Sequence, residues 1–284
     1  MSKVGIVTDS TNCLPAELVK QYGIRIAPAG LVVNGRVYQD QVDITPDEFW
    51  KLFNKAKEQP TTSAISPGVF ASIFSDLAKT TDSIVCILVS KALSAIHQSA
   101  VQGRELVKAE HPELNIEIID SKTSAGALGF IVLEAARAAE AGKSLSEIVT
   151  LVQDMVNRAK WVASLDTLKY LIRGGRAPKT AYVGELLHVK PLIGGVSGSG
   201  LVDSLGRTRG KRKAMVKLVE LMKEHVDATK PVHVMVHYTD HIEDAEELKE
   251  MVTSQFNCTE LYVTPYTPVM ACHTGPVFAL AFYS

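Results

Sequence analysis

The segment 84–89 reads IVCILV and is apolar at every position. A strand that buries one face alternates apolar and polar residues, whereas a strand covered on both faces is apolar throughout. Short runs rich in Val and Ile also occur at 4–7, 24–33 and 116–119. The first half of the chain is therefore predicted to form a mostly parallel sheet that is covered by helices.

Capping residues mark helix starts between these runs. Thr45-Pro-Asp-Glu48 has the hydroxyl and carboxylate of a capping box with Pro at the first helical position, which predicts a helix to about residue 58. Ser66-Pro67 predicts a helix to about residue 79, and Ser144-Leu-Ser-Glu147 begins another. The Ala-rich segment 125–141 predicts a further helix. Strands and helices thus alternate, which is typical of an α/β protein.

The composition changes after about residue 160. A strand is predicted at 161–165, and the segment that follows it is rich in glycine. The later elements predicted are a helix at 242–252 and strands at 232–238, 260–264 and 277–283. This order indicates a second α/β unit, so the predicted domains span residues 1–160 and 161–284.

The composition excludes several classes of protein. The 284 residues include 30 Lys and Arg against 31 Asp and Glu, which argues against a generally basic nucleic-acid-binding protein. No apolar run approaches the roughly 20 residues of a membrane span. The amino terminus lacks the apolar core of a signal peptide. Four scattered cysteines without a CxxC pair predict reduced thiols and a cytoplasmic protein.

Hydroxyl-bearing residues cluster at the predicted ends of strands. Thr62 and Ser63 lie just before a predicted helix, Ser94 lies just after the strand 84–89, and residues 121–124 follow another strand. The carboxyl ends of parallel strands meet at one edge of a sheet, where ligands bind, and helix N-termini there favour anions. Helix capping alone explains any single Ser or Thr. Together they predict a pocket rim of neutral hydrogen-bond donors.

Asp9 and His273 are the candidates for acid–base chemistry. Asp9 follows the first strand and either binds a metal or a proton, or it belongs to a cap in which Ser10 or Thr11 starts the next helix. His273 precedes a Thr-Gly-Pro turn and is either structural or a donor to an anion. With Ser94 these residues would equip a self-sufficient α/β hydrolase or phosphotransferase, although no G-x-S-x-G elbow surrounds the serine.

The sequence gives no sign of a metal or a nucleotide cofactor. His233, His237 and His241 are spaced by four, as in a helical metal site, but their alternation with Val predicts a strand. No GxGxxG follows the first strand and no GxxxxGK[ST] occurs. We therefore expect no metal ligands and no cofactor.

Basic residues concentrate between residues 160 and 213. This segment holds 11 cations and 3 acidic residues, while the rest of the chain carries a net −9. Arg173-Gly-Gly-Arg176 and residues 207–213 supply most of them, and guanidinium groups beside glycine bind phosphates or carboxylate-rich partners. A solvated charge run explains the pattern equally well. No aromatic residues interleave, which disfavours nucleic acid, whereas transient contact with a membrane surface is compatible with this face.

The ordered motifs of the chain resemble those of the DegV family, which includes the fatty-acid-binding subunits of bacterial fatty acid kinase. They span nearly the whole chain: TDSTNCLP (8–15), PTTSAISPGVF (60–70), SKALSAIHQSA (90–100), DSKTSAGALG (120–129), LKYLIRGGRA (168–177), RTRGKRKA (207–214) and HTGP (273–276). The resemblance implies a two-domain α/β protein, with a Rossmann-like, mostly parallel N-terminal sheet and a C-terminal α/β domain with a mixed or antiparallel sheet.

The resemblance also implies a function. A protein of this family holds one long-chain fatty acid in a buried tunnel between its lobes and is not itself an enzyme. A separate kinase catalytic subunit with ATP phosphorylates the carboxylate to an acyl phosphate. The implied carboxylate ligands are Thr62, Ser63, Ser94 and His273. Arg209 matches a family arginine that serves phosphoryl transfer or kinase docking, and Arg173 and Arg176 are implied to share its basic surface.

Five positions depart from the family pattern, and two of them are Ala64 and Ile65, which replace a more polar pair after the Thr-Thr-Ser run. Ala95 stands where Gly is usual, and Val277 and Phe278 stand where small residues are usual. Bulk near the carboxylate anchor is expected to narrow or bend the tunnel.

Overall fold

Three β-sheets carry the fold in the computed structural model, which describes residues 3–177, 188–227 and 229–284. The strands are β1 (Gly5–Asp9), β2 (Arg25–Ala27), β3 (Gly30–Val33), β4 (Arg36–Gln39), β5 (Thr61–Ser63), β6 (Ser83–Leu88), β7 (Asn115–Asp120), β8 (Lys160–Leu165), β9 (Val189–Gly195), β10 (Asp203–Arg209), β11 (Val232–Tyr238), β12 (Cys258–Pro265) and β13 (Val277–Tyr283). The α-helices are α1 (Ala16–Tyr22), α2 (Pro46–Phe53), α3 (Pro67–Ala78), α4 (Ile96–Lys108), α5 (Ala125–Glu140), α6 (Leu145–Arg158), α7 (Lys169–Arg173), α8 (Lys211–His225), α9 (Ile242–Thr253) and α10 (Pro268–Thr274).

The first sheet is wholly parallel, as predicted, with the strand order β2-β1-β6-β7. Its most buried strand contains the apolar run that begins at Ile84, where five consecutive residues have no exposed surface. The chain returns to opposite sides of β1 to form β2 and β6. This reversal leaves a crevice outside the carboxyl ends of β1 and β6, which is the usual ligand position in open α/β sheets.

The prediction of one strand over 24–33 is wrong. Pro28 separates β2, which joins the parallel sheet, from β3, which pairs antiparallel with β4 and β5 in a small separate sheet. Proline has no backbone N–H to donate to a ladder, so the run cannot continue as one strand. The small sheet pairs Thr62 with Leu31 and Ser63 with Gly30.

The second large sheet is mixed, as predicted. Its order is β10-β9-β8-β13-β11-β12, and every pair is antiparallel except β11 with β12. The strands of the first large sheet all precede residue 121, and those of the second begin at Lys160. The domain division at residues 160 and 161 stays a prediction. One hydrophobic core nevertheless contains residues of both parts, such as Leu128 and Ala163.

The predicted capping box at Thr45 is present, and the predicted helix start at Ser144 has one as well. Thr45 accepts from the N–H of Glu48 while Glu48 accepts from the N–H of Thr45, and Ser144 and Glu147 repeat the arrangement. Helix α2 ends at Phe53 rather than near residue 58. The apolar periodicity stops at Phe53, and the polar segment that follows leads into Pro60.

Helix α5 lies at the junction of the two large sheets. It contacts β1 and β6 on one side and β8 and β13 on the other, and most of its residues are buried. A helix that is apolar all round is suited to such a place. At its start, Gly126 lies against the ring of His237 on β11, where a Cβ atom would overlap Nε2 of His237 and lie 2.9 Å from Cβ of Ala281.

We expect Gly126→Ala to lower the free energy of unfolding by about 1–2 kcal/mol, because the added methyl overpacks this junction. Gly68→Ala is the matched control, since Gly68 is also helical but a Cβ there would meet only Ser66 Oγ, at 3.8 Å. The control should gain about 0.5–1 kcal/mol from its higher helix propensity. Urea unfolding of both variants measures the difference, and equal effects of the two substitutions would contradict the packing account.

Candidate functional site

A cavity of about 230 Å³ lies in the crevice outside β1 and β6 and extends to β8 and β9 of the second sheet. Most of its wall is apolar and includes Trp161, Ala163, Val269 and Met270. The polar residues at its wall are Thr11, Thr62, Ser63, Ser94, Ser124, Arg176, His273 and Thr274. Such a cavity suits a ligand with a long apolar part and one polar end.

Thr62 and His273 meet at the polar end of the cavity. The Oγ1 atom of Thr62 on β5 lies 3.1 Å from Nε2 of His273 on α10. Burial, with a smaller contribution from the Arg176 charge, lowers the pKa of His273 to about 4. The imidazole is therefore neutral near pH 7 and can offer one N–H without adding a charge.

Arg176 holds the loop that presents Ser94. Its Nε donates to the carbonyl of Leu93 at 3.0 Å, and its Nη1 donates to the carbonyl of Gly174. Burial lowers the pKa of Arg176, yet a guanidinium remains protonated in proteins. The cavity wall thus includes a cation beside the neutral donors, which differs from the predicted rim of neutral groups alone.

The hydroxyl-bearing residues predicted to form the pocket rim differ in burial and in their position relative to the cavity. Ser94 is half-buried and its Oγ accepts from the N–H of Ile96 at 3.3 Å, so it also starts α4. Ser63 lies at the exposed rim, and its Oγ packs against Gly30 so closely that no side chain fits there. Of the segment 121–124, Ser124 alone lines the cavity, because the Ser121 hydroxyl turns inward and donates to the carbonyl of Thr123 at 3.2 Å.

Arg173 and Arg209 lie outside the cavity wall. Arg173 is exposed and borders a separate cleft with Lys57 and Tyr170. Arg209 is exposed at the end of β10, where it pairs with Val189. The structure therefore separates these two from Arg176, with which the sequence grouped them.

Asp9 is a structural residue. One carboxylate oxygen accepts from the N–H of Thr11 at 2.9 Å and from its hydroxyl at 2.6 Å, and the other accepts from the N–H of Val89 at 2.8 Å. Asp9 itself therefore caps the short 3-10 helix Ser10–Asn12, rather than Ser10 or Thr11 capping a later one. Its carboxylate links the end of β1 to the residue that follows β6 and is not hydrogen-bonded to His273.

The described residues offer no metal site: across 3–177, 188–227 and 229–284, no three His, Cys, Asp or Glu side chains are grouped so as to hold an ion. His237 is buried and its Nδ1 lies 2.7 Å from the hydroxyl of Thr264. His233 is bonded through Nδ1 to Glu260 at 2.7 Å. In the same part of the chain, no helix is both long and apolar enough to span a bilayer.

Comparison with known proteins identifies the family. A model described as uncharacterised proteins of the DegV family matches residues 3–284. The chain belongs to the DegV family. A DegV domain-containing protein of Caldanaerobacter subterraneus subsp. tengcongensis is 34% identical to it, over 100% of this chain and 99% of the relative.

Two solved structures share the fold closely. A DegV family protein from Thermus thermophilus, described by its fatty acid binding, has a TM-score of 0.90 at 28% identity and covers 100% of both chains. A stearic acid-binding protein from Eubacterium ventriosum has a TM-score of 0.90 at 27% identity, over 100% of this chain and 98% of that one. These comparisons confirm the predicted family and α/β fold.

The departures from the DegV pattern have different consequences. Ala95 lines the cavity, at an exposed position beside Ser94. Val277 and Phe278 do not line it, because each side chain is buried in a hydrophobic core: Val277 in the core shared by the two large sheets, and Phe278 in a second core formed by the second sheet and its helices. The expectation that these two narrow the tunnel is therefore wrong.

Sequence reasoning missed several residues of the wall. Tyr266, Val269 and Met270 come from α10 and the residues before it, and Trp161 comes from β8. Their spacing carries no signal of a site, since each reads as an ordinary core residue. Thr11 and Thr274 had a signal, because Thr11 lies in the motif that follows the first strand and Thr274 lies in the HTGP motif.

Proposed function

We propose that this DegV protein binds a long-chain fatty acid in the cavity and presents its carboxylate to a partner ATP-dependent kinase. The observation that carries the proposal is an apolar cavity whose polar end holds the Thr62–His273 pair. Burial of an acyl chain contributes roughly 0.8 kcal/mol per CH₂, so the wall supplies affinity. Uncharged donors at the polar end fix the register of the carboxylate.

The proposed carboxylate ligands are Thr62, Ser63, Ser94 and His273. The mutual hydrogen bond of Thr62 and a neutral His273 uses one of their two hydrogens, so this pair has one hydrogen left to donate and Ser94 has another. A carboxylate accepts about four hydrogen bonds. Ser63 contributes at the rim. Hydroxyl and imidazole donors leave the bound carboxylate nucleophilic, which formation of an acyl phosphate by the kinase requires.

Titration of palmitate into delipidated protein tests the binding step. The proposal predicts saturable binding of one fatty acid per chain, together with weaker binding of the equally long alcohol, which lacks the carboxylate. Equal affinity for acid and alcohol would contradict the carboxylate anchor, and failure of both to bind would remove the proposal altogether.

Arg209→Ala separates binding from transfer. Arg209 lies outside the cavity wall, so we expect palmitate affinity within twofold of the unmodified protein, as is usual for an exposed residue. The rate of acyl-phosphate formation with a bacterial fatty acid kinase catalytic subunit and ATP should fall about fivefold, the size of one exposed charge contact. Arg212→Ala, an exposed basic residue on the next helix, is the matched control. Loss of palmitate binding in the Arg209 variant would show that its role is misassigned.

The alternative of a self-sufficient hydrolase or phosphotransferase has little support in the geometry. Among the described residues, Asp9 and Ser94 have no recorded hydrogen bond to His273, whose partner is Thr62. Turnover of an ester or phosphate by the isolated protein would restore that alternative.

A further inference from the structure

A buried carboxyl, Asp40, lies behind the wall of the cavity that carries His273. Its side chain is 1% exposed and has no role in the carboxylate site described above. The backbone N–H of Asp40 donates to the carbonyl of Ala29 at 2.9 Å, and its Oδ1 accepts from the N–H of Val269 at 3.4 Å. Ala29 and Val269 both line the cavity. Asp40 therefore links two segments that line the cavity, although it does not line the cavity itself.

The first backbone N–H of helix α10 has the side chain of Asp40 as its acceptor. Thr267 occupies the N-cap position but makes no side-chain cap bond, and Pro268 has no N–H. Val269 thus supplies the first backbone donor of the helix, and Asp40 accepts from it. His273 lies near the other end of α10, about one turn farther along. Because a helix this short moves as a rigid body, the position of its first turn fixes the position of the imidazole.

We propose that Asp40 is a positioning residue for fatty-acid capture, which holds the first turn of α10 against the Ala29 wall and thereby sets where His273 meets the carboxylate. The inference rests on the proposed function, since it acts through the same ligand site. It adds a residue that touches neither the cavity nor the ligand.

The ionisation of Asp40 provides a second way to test this role. Burial raises the pKa of Asp40 to about 7, opposed by hydrogen bonds from Ser10 and Val269 and assisted by the nearby Asp9 carboxylate. Because the pKa of Asp40 is raised, the folded protein favours the protonated carboxyl. The contribution of Asp40 to the free energy of unfolding is therefore complete below about pH 4 and is lost as the pH rises through 7. Burial of an ionised Asp40 costs free energy, and movement of α10 away from the Ala29 wall would lower this cost by admitting water.

The neighbouring titratable groups are Asp9 on β1, Cys13 beyond the 3-10 helix and Cys272 on α10. Burial raises the pKa of each cysteine to about 12, so neither thiol ionises between pH 6 and 8.5. Burial also raises the pKa of Asp9, while hydrogen bonds from Thr11 and Val89 lower it. An Asp9→Asn variant therefore serves as the control for that carboxyl.

Palmitate binding by the unmodified protein and its Asp40→Asn, Asp40→Ala and Asp9→Asn variants tests the inference. At pH 6, Asp40→Ala should raise the Kd about fivefold, the usual size of a lost helix cap, while Asp40→Asn, which keeps an acceptor, stays within twofold. From pH 6 to pH 8.5, the Kd of the unmodified protein should rise by a factor about three times larger than the factor by which the Kd of Asp40→Asn rises. The ionisation of palmitate is common to all samples and cancels in this ratio.

A double-mutant cycle shows whether Asp40 acts through His273. In a His273→Ala background, Asp40→Ala should change the Kd less than twofold, because the group it positions is gone. The inference is overturned if the two losses multiply, if Asp40→Ala leaves the Kd unchanged, or if Asp9→Asn rather than Asp40→Asn flattens the pH profile. If Asp40→Ala fails to fold, the pH dependence of the Kd of Asp40→Asn still tests whether Asp40 affects palmitate binding. Failure of the unmodified protein to bind palmitate at any pH would instead overturn the proposed function.

Discussion

His273→Ala is expected to weaken palmitate binding by about 1–3 kcal/mol, or roughly 5- to 150-fold in Kd, the cost of leaving a buried acceptor unmet. The imidazole is held 3.1 Å from Thr62 at the polar end of the cavity, so its loss removes one donor and the partner that orients another. Since the pKa of His273 is lowered to about 4, the imidazole is neutral from pH 6 to 8, so its own protonation does not alter the effect over that range. Isothermal titration calorimetry with delipidated protein measures it.

His241→Ala is the matched control for this prediction. The His241 side chain is 64% exposed and lies away from the cavity wall, so its removal should leave the Kd unchanged. The long-chain alcohol supplies a second comparison, because it cannot lose a carboxylate contact. A His273→Ala variant that binds palmitate as tightly as the unmodified protein would remove His273 from the anchor.

Arg137→Met is expected to lower the free energy of unfolding by about 2–4 kcal/mol, because it leaves two carboxylates of a partly buried cluster without their cation. Arg137 on α5 contacts Glu134 at 2.6 Å and both oxygens of Glu260 on β12, at 3.0 and 2.6 Å. Tyr262 and His233 also bond to Glu260, whose side chain is 14% exposed. The cluster therefore ties the helix between the sheets to the second sheet.

The pH dependence of this variant follows from Glu260. Burial alone would raise its pKa, but hydrogen bonds from Arg137, Tyr262 and His233 outweigh burial and lower the pKa to about 2. A depressed folded pKa gives stability that is complete above about 4.5 and is lost as the pH falls towards 2. Urea unfolding should thus show the difference between the unmodified protein and Arg137→Met shrinking over this range. A difference that stays constant with pH would show that the ion pair is not its source.

Arg158→Met is the control for Arg137→Met. Arg158 pairs with Asp154 one helical turn away, and its side chain is 41% exposed. It also donates two hydrogen bonds to the carbonyl of Ser284 and lies over the ring of Tyr283, but it leaves no buried carboxylate unpaired when removed. Exposed pairs of this kind contribute less than about 1 kcal/mol. A similar loss of stability in both variants would mean that removal of an arginine from this face, rather than the buried contacts of Arg137, is responsible.

The parallel sheet was predictable because buried strands leave a continuous apolar run in the sequence, as at β6. Strands β9 and β10 were not predicted, since they lie in a segment rich in glycine and charged residues. Strand β10 is at the edge of the sheet and has no buried residue, so burial imposes no pattern on it. The interruption of 24–33 by Pro28 carried a signal that was missed.

The candidate site was predictable only in its polar parts. Hydroxyls at strand ends marked Thr62 and Ser94, but the pairing of Thr62 with His273 joins residues 211 positions apart, which periodicity cannot foresee. The inward turn of Arg176 depends on the carbonyls of Leu93 and Gly174, and these are visible only in the folded chain. Asp40 gave no signal, because a lone acidic residue in a polar segment reads as exposed.

Mass spectrometry of an organic extract from protein purified without detergent tests the central claim most directly. The account predicts one long-chain fatty acid per chain, lost after delipidation and regained on incubation with the same acid. An extract without fatty acid, followed by failure of the delipidated protein to bind palmitate or stearate, would contradict the account.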